Sequence, residues 1–308
     1  MLFALAAAVF SALAFGASDF FGGIGAGRLG VARGTLLTFA LATAVALIAL
    51  PIAGGAFSGS ALRWGLLAGV FEIAGMLAFY AALVAGPISL GAPLAGLADS
   101  AVPVIAAVAL GQALSGLHWL GVGAALLSGI LVSFRKEEGA GLSVRALVLA
   151  IVGGVLLGAL ILSLDAAPSD SGLWPVAVAM VTGLAIIGVL VALGRVSRPV
   201  AKMMKALDAA PNDPLLEADE ARLVPWPAAS RLRRGLPSAA AGVLMGGANL
   251  TLLLALRGGP LAVVSVVANL YPVGTVLLAW LVARERLTAV QLTGVGLAIA
   301  ASVLFAIG

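Results

Sequence analysis

The sequence predicts an all-α integral membrane protein with ten transmembrane helices, arranged as two inverted five-helix repeats. Three observations predict it. First, 62% of the 308 residues are hydrophobic and only 10% charged, with a mean hydropathy of +1.19. A soluble domain carries about 25% charged residues, so this chain lacks the polar groups to cover a water-exposed surface. Second, residues 82–125 return at 255–298 with one constant step of 173 positions. Ala82-Leu83 and Gly86-Pro87 reappear as Ala255-Leu256 and Gly259-Pro260. Leu97 falls on Leu270, Leu114 on Leu287, and Gly121-Val122-Gly123 on Gly294-Val295-Gly296. Third, the basic residues sit in short breaks between apolar runs, as the loops of a membrane protein require.

Ten runs approach the roughly 20 residues needed to cross a hydrocarbon core of about 30 Å. They lie near 3–25, 34–53, 62–84, 88–111, 117–134, 145–164, 174–194, 236–256, 261–283 and 289–307. The first has no Lys or Arg before it and matches a segment of the second half, so it reads as a retained helix rather than a secretory signal. Arg28-Leu29-Gly30, Gly54-Gly55, Gly86-Pro87, Arg135 to Glu138 and Arg284-Glu285-Arg286 punctuate the series. Trp64, Trp119 and Trp174 stand near the starts of runs, where interfacial tryptophans are expected. None of the runs shows the in-out alternation of a membrane barrel. Gly65/Gly69, Gly154/Gly158 and Gly242/Gly246 are spaced four apart, the pattern that lets helices approach closely in lipid.

Gly16-Ala17 pairs with Gly158-Ala159 at a step of 142, so the second half carries an insertion of about 31 residues. It falls at Arg195–Arg234. The repeats are therefore 1–135 and 145–308, with the polar insertion 195–234 inside the second. Five helices per unit force the copies into opposite orientations. Within the insertion, Val200 to Leu207 reads as a basic amphipathic extension of the seventh helix. Asp213-Pro214 reads as the start of a short acidic helix through Arg222.

Of the 17 Lys and Arg, 15 lie after odd-numbered runs; only Arg63 and Arg257 follow even-numbered ones. The positive-inside rule then places both termini outside and the insertion in the cytoplasm. The same distribution accounts for the pI near 10.1 without a nucleic-acid partner. With no cysteine, disulfides and thiolate metal sites are excluded. His118 is the sole histidine, which excludes a histidine-rich metal centre, and no Walker or G-x-S-x-G motif occurs. No metal or cofactor is expected.

Three acids fall inside the spans: Glu72 in the third, Asp99 in the fourth, and Asp19 in the first, nearer its helix end. No basic residue lies well inside a span to pair with them. An unpaired charge near the bilayer centre costs several kcal/mol, so such an acid is a candidate for exchanging a proton with a substrate amine or a coupling ion. Pro103 frees the carbonyl of Asp99, Pro93 that of Ser89, and Pro272 that of Ala268. Ser265, Asn269 and Pro272 should share a face of the ninth helix. Glu72, Gly75, Met76 and Phe79 should share one of the third, with Tyr80 close by. Asn249 and Thr251 in the eighth span suit either a polar site or interhelical hydrogen bonds.

The repeated block, with Gly-Pro opening a helix and Arg284-Glu285-Arg286-Leu287 leading into Gln291-Leu292-Thr293-Gly294, resembles the EamA-type branch of the drug/metabolite transporter superfamily. Asn269-Leu270-Tyr271-Pro272 and Ser171-Gly172-Leu173-Trp174-Pro175 carry the same resemblance. It implies ten helices in two inverted repeats around a central cavity, and export of small organic metabolites. It also implies cytoplasmic termini, against the loop charges. At the Glu285 position the first copy has Gln112, a departure from a paired loop carboxylate. The expected function is a secondary transporter of a metabolite or drug-like solute in the cell membrane, working outward with protons as a candidate coupling ion. Its site residues would be Glu72, Asp99, Asp19, Asn269, Tyr271, Asn249 and Tyr80, and the protein would be a monomer or homodimer. The alternatives are a flippase of a lipid-linked or amphiphilic molecule and a cofactor-free membrane enzyme.

Overall fold

The computed structural model describes residues 1–85, 88–133, 144–208, 231–282 and 287–308. Gly86-Pro87, Arg135 to Glu138, the segment from Asp213 to Arg222, and Arg284-Glu285-Arg286 lie outside the described residues.

Among the described residues the chain is helical throughout. The first half holds α1 (Leu2–Leu29), α2 (Val31–Ala53), α3 (Gly59–Ala85), α4 (Ile88–Ala109) and α5 (Gly116–Ser133). The second holds α6 (Val144–Asp165), α7 (Trp174–Val196), α8 (Arg198–Asp208), α9 (Arg231–Gly258), α10 (Leu261–Ala268), α11 (Tyr271–Val282) and α12 (Ala289–Ile307). Among the described residues nine spans are long and apolar enough to cross a membrane, with α10 and α11 counted as one, and a shorter apolar stretch, Leu94–Ala109, lies in α4. Together they make the ten-helix membrane fold.

Local chemistry sets the boundaries. Gly30, at φ 81°, reverses the chain between α1 and α2 in one residue, a conformation costly for any residue with a Cβ. Its N–H still closes the last turn of α1 on the Ala26 carbonyl. Pro175 opens α7, where its missing donor removes nothing. Thr288 and Gln291 form a reciprocal capping box at the start of α12.

Two expectations need correction. The basic amphipathic segment after α7 is a separate helix, α8. Ser197 adopts extended backbone, and Pro199 can neither donate to the turn before it nor fit its ring there. The ninth span is broken, so Ser265, Asn269 and Pro272 do not share one helical face. The backbone passes Asn269-Leu270 as a turn, with Leu270 N–H donating to Val267 O at 3.1 Å and Val273 N–H to Leu270 O at 2.9 Å. Pro272 supplies no N–H for Ala268, so the regular ladder is already interrupted where the chain turns.

The packing is reciprocal between the halves. Helix α1 lies against α9 as α6 lies against α3; α4 meets α6 as α10 and α11 meet α1; α3 meets α7 as α9 meets α2. The remaining large contacts, α2 with α7 and α5 with α12, join equivalent helices. Small residues make the crossings possible. Gly69 sits on Ala179 and Thr182 of α7, and Gly242, 173 positions later, on Thr38 and Leu41 of α2. Gly158 backs onto Asp99 and Val102 of α4, and Gly16 onto Tyr271 and Thr275 of α11. With no hydrophobic drive between helices in lipid, close backbone approach of this kind supplies the dispersion contacts that hold the bundle. The polar links across the α1–α9 crossing are Ser11 Oγ donating to Ala248 O and Ser18 Oγ to Ala241 O, both at 2.9 Å.

Candidate functional site

Glu72 stands at the midpoint of α3 and is 3% exposed. Asn249, on α9, is 1% exposed. Its Nδ2 donates to the Met245 carbonyl one turn back and to Glu72 Oε1, each at 3.2 Å. The carbonyl can only accept, which fixes the amide with its nitrogen toward both neighbours. Glu72 Oε2 and Asn249 Oδ1 remain buried without a partner. The pair crosses between the halves in a reciprocal way. At the 173-residue step, Glu72 corresponds to Met245 and Met76 to Asn249. Each of the two helices thus carries one methionine and one polar residue a turn apart, in opposite order.

A second acid–amide pair lies on the helices that follow. Asp99 of α4 is 4% exposed, and the Asn269 side chain lies beside it. Asn269 Nδ2 donates to Ser100 Oγ at 3.2 Å. Asp99 Oδ1 is buried and unpartnered. Asn269 reaches this position because the chain turns there between α10 and α11, turning its amide out of the regular helical array. Broken helices at midspan are a recurring way to place polar groups along a transport path.

Asp19 differs from both. Helix α1 continues to Leu29, while its apolar span ends at Ala26. Asp19 is ten residues from the helix end and Glu72 thirteen from either end of α3, so Asp19 lies nearer its helix end than Glu72 does. It is exposed while Ser18 and Phe20 beside it are buried. At about 100° per residue, the exposed Phe10 lies on the opposite side of the helix. Ser18 faces α9 and Gly16 faces α11, so Asp19 points between them, away from the apolar outer face. The partly exposed Phe15, Gly22, Gly23 and Ala26 continue its stripe. Tyr271 opens α11 and presents its carbonyl to Gly16 and to the Thr275 hydroxyl at 3.3 Å. Thr275 Oγ1 also bonds the Gly16 carbonyl at 3.1 Å. Tyr80 falls on α3, with its side chain outside the described residues. Thr251 turns back onto its own helix, at 2.9 Å from Gly247 O, and joins neither pair.

The structure therefore brings together Glu72 with Asn249 and Asp99 with Asn269, and sets Asp19 on a separate accessible stripe. Three participants escaped the sequence. Ser100 had no distinguishing signal beyond its place beside Asp99. Gln112 accepts the Ala262 N–H at 3.0 Å and so caps the start of α10; its alignment with Glu285 was the available clue. Arg257 bonds Ser171 Oγ at 3.1 Å and Pro168 O at 3.3 Å, tying the end of α9 to the turn before α7. His118 is held by Ser115 at the start of α5 and lies against Phe305, apart from the acids.

These features define a multi-pass integral membrane protein with two acid–amide pairs joining the halves. Residues 216–307, the C-terminal part of the chain, match the EamA-like transporter family. That family is one of transporters. No curated protein matches the sequence. Thirteen solved chains match. One, described as "Crystal structure of protein", is 18% identical with a TM-score of 0.66, over 96% of this chain and 95% of that one. At that identity the likeness concerns the fold.

Proposed function

We propose that the protein is a secondary transporter moving a small organic solute outward across the cell membrane, with Glu72 as the proton-coupling acid. Its two halves, 1–135 and 145–308, act as inverted five-helix units that rock against each other around the acid–amide pairs. The observation that carries the reading is the Glu72–Asn249 hydrogen bond at midspan between α3 and α9. Opening one side of the bundle changes the distance between these helices and so changes this bond. A proton arriving at the unpartnered Oε2 makes Glu72 neutral, removing a charge that is expensive to move through lipid. When the halves separate, water or a substrate cation reaches the same oxygen and the proton leaves. Asn249 holds the carboxylate in position and supplies an oxygen acceptor of its own.

The test is Glu72→Gln in proteoliposomes, with substrates first identified by thermal shift against a metabolite panel. The variant keeps shape and hydrogen-bonding capacity but cannot release a proton. It should fold, bind substrate and exchange it, yet fail to accumulate substrate against its gradient when a pH difference is imposed. Uphill transport at the wild-type rate, with unchanged pH dependence, would make Glu72 a structural residue.

A further inference from the structure

Helix α8 carries its basic residues on one side only. At about 100° per residue, Arg198, Lys202 and Lys205 fall within an arc of about 60°, with Val200, Met203 and Met204 on the opposite side. The three basic residues are exposed, as is Arg195 on the last turn of α7, while Val200 and Met204 are half-buried. Had α8 continued α7, Gly194 and Met204 would stand about 15 Å apart, at roughly 1.5 Å per residue. Instead Met204 Sδ packs on Gly194, so α8 folds back over the rim of the bundle. It touches α7 of the second half and α2 and α3 of the first. Leu193, Val196 and Met203, on the last turn of α7 and on α8, are exposed. Among the described acids, Asp19, Glu72 and Asp99 lie within the spans, and Asp165 and Asp170 precede the far end of α7. Only Asp208, its last residue, belongs to α8.

We propose that α8 lies in the interfacial plane of the membrane and binds anionic phospholipid headgroups through Arg195, Arg198, Lys202 and Lys205. An amphipathic helix with one basic and one apolar side takes this position, held by buried apolar area and by attraction to anionic lipid. Met203, with Leu193 and Val196 beside it, meets the start of the acyl chains. The long Lys and Arg stems carry their charges to the phosphate layer. A Lys or Arg close to an anionic surface adds about fivefold in affinity, so four on one surface select against zwitterionic lipid. The exposed apolar residues around the same turn favour a lipid of the bilayer over a soluble anion, which would leave them in water. Because α8 touches both halves, a lipid held there braces them at one end. The site is separate from the acid–amide pairs and does not depend on the transport reading.

The test titrates the full-length protein in dodecyl maltoside with dioctanoyl phosphatidylglycerol, dioctanoyl phosphatidylcholine or inorganic phosphate, reading bound lipid and the thermal midpoint. Phosphatidylglycerol should bind at least tenfold more tightly than phosphatidylcholine and raise the midpoint, and inorganic phosphate should not replace it. Salt at about 1 M, where charges act over only about 3 Å, should remove most of the preference. Combining Arg198→Gln, Lys202→Gln and Lys205→Gln should abolish the preference. It leaves twelve loop charges against two, so the orientation in the bilayer is kept. The control combines Arg33→Gln with Arg234→Gln. These lie in the first turns of α2 and α9 at the same end of the bundle, where Leu36 meets Gly188 of α7 and Leu37 meets Gly235; the preference should survive. If the triple variant proves unstable, Lys202→Gln with Lys205→Gln repeats the test at two exposed positions. Equal affinity for the two lipids, an unchanged preference in the α8 variants, or an equal loss in the control overturns the site. So does inorganic phosphate binding as tightly as the lipid. A preference that emerges only when Asp213, Glu217, Asp219 and Glu220 are replaced by their amides also overturns it, assigning the basic side to the acids of the insertion.

Discussion

Adding a single methyl group at Gly158 should disturb the bundle at the point where α6 crosses α4. A Cβ there would lie 2.7 Å from the Asp99 carbonyl oxygen and 2.7 Å from Val102 Cβ. Ordinary contact begins near 3.4 Å, so α4 would have to retreat by about 0.7 Å along a helix packed on both sides. Overpacking of this kind costs about 1–3 kcal/mol, against which the better helix propensity of Ala returns less than about 1 kcal/mol. Gly158→Ala should therefore lower the thermal midpoint in detergent. It should also displace the backbone that carries Asp99. Gly129→Ala is the control, since a Cβ at Gly129 meets nothing within 4 Å. If Gly158→Ala is as stable as Gly129→Ala, the crossing is looser than described and the reasoning fails.

Gln112→Ala should leave the Ala262 N–H at the start of α10 without its 3.0 Å acceptor, costing about 1 kcal/mol and raising hydrogen exchange over residues 261–264; unchanged exchange would mean water replaces the side chain. A reporter fused after Gly308 should be active only on the non-cytoplasmic side, and one placed within 208–220 only in the cytoplasm. The reverse pattern would mean that the family orientation overrides the 15-to-2 charge bias.

Much of the fold was legible because lipid imposes one demand. Each span must satisfy its own backbone and present apolar side chains over about 20 residues, and no soluble alternative mimics that over ten runs. The 173-residue step was legible because the glycine pairs and the Gly-Pro openings survive in both copies. The pairing of acids with amides was not. Glu72 and Asn249 are 177 residues apart and Ser100 and Asn269 169, and which faces meet depends on helix crossings that no local pattern encodes. Hence the sequence left Asn249 open between a polar site and an interhelical hydrogen bond, while in the structure it is the partner of the most central acid. Proline shows the same limit. Pro103 and Pro272 each remove one backbone hydrogen bond, yet α4 runs on through Pro103 and the ninth span breaks before Pro272. The local cost is alike, so the packing around each segment decides the outcome.

The reciprocal placement of Glu72 and Asn249 makes a stricter test of coupling than removal of the acid. On α3 the order is Glu72 then Met76; on α9 it is Met245 then Asn249. The variant combining Glu72→Asn with Asn249→Glu moves the carboxylate to the other half while keeping the summed reach of the two side chains and one donor facing one acid. Asn249→Glu alone sets two acids face to face, where like charges in a dry interior oppose each other and one must stay protonated; it should fold less stably than either the wild type or the exchange. If the bond acts by joining two halves that rock about a common centre, it matters little which half supplies the acid. The exchange should then regain a large part of the pH-dependent transport that Glu72→Asn alone loses, and should recover stability relative to Asn249→Glu. A stable exchange variant that transports no better than Glu72→Asn would place the essential property in the surroundings of Glu72 on α3. The unpartnered Oε2 would then be the working atom, and the bond to Asn249 would serve only to orient it.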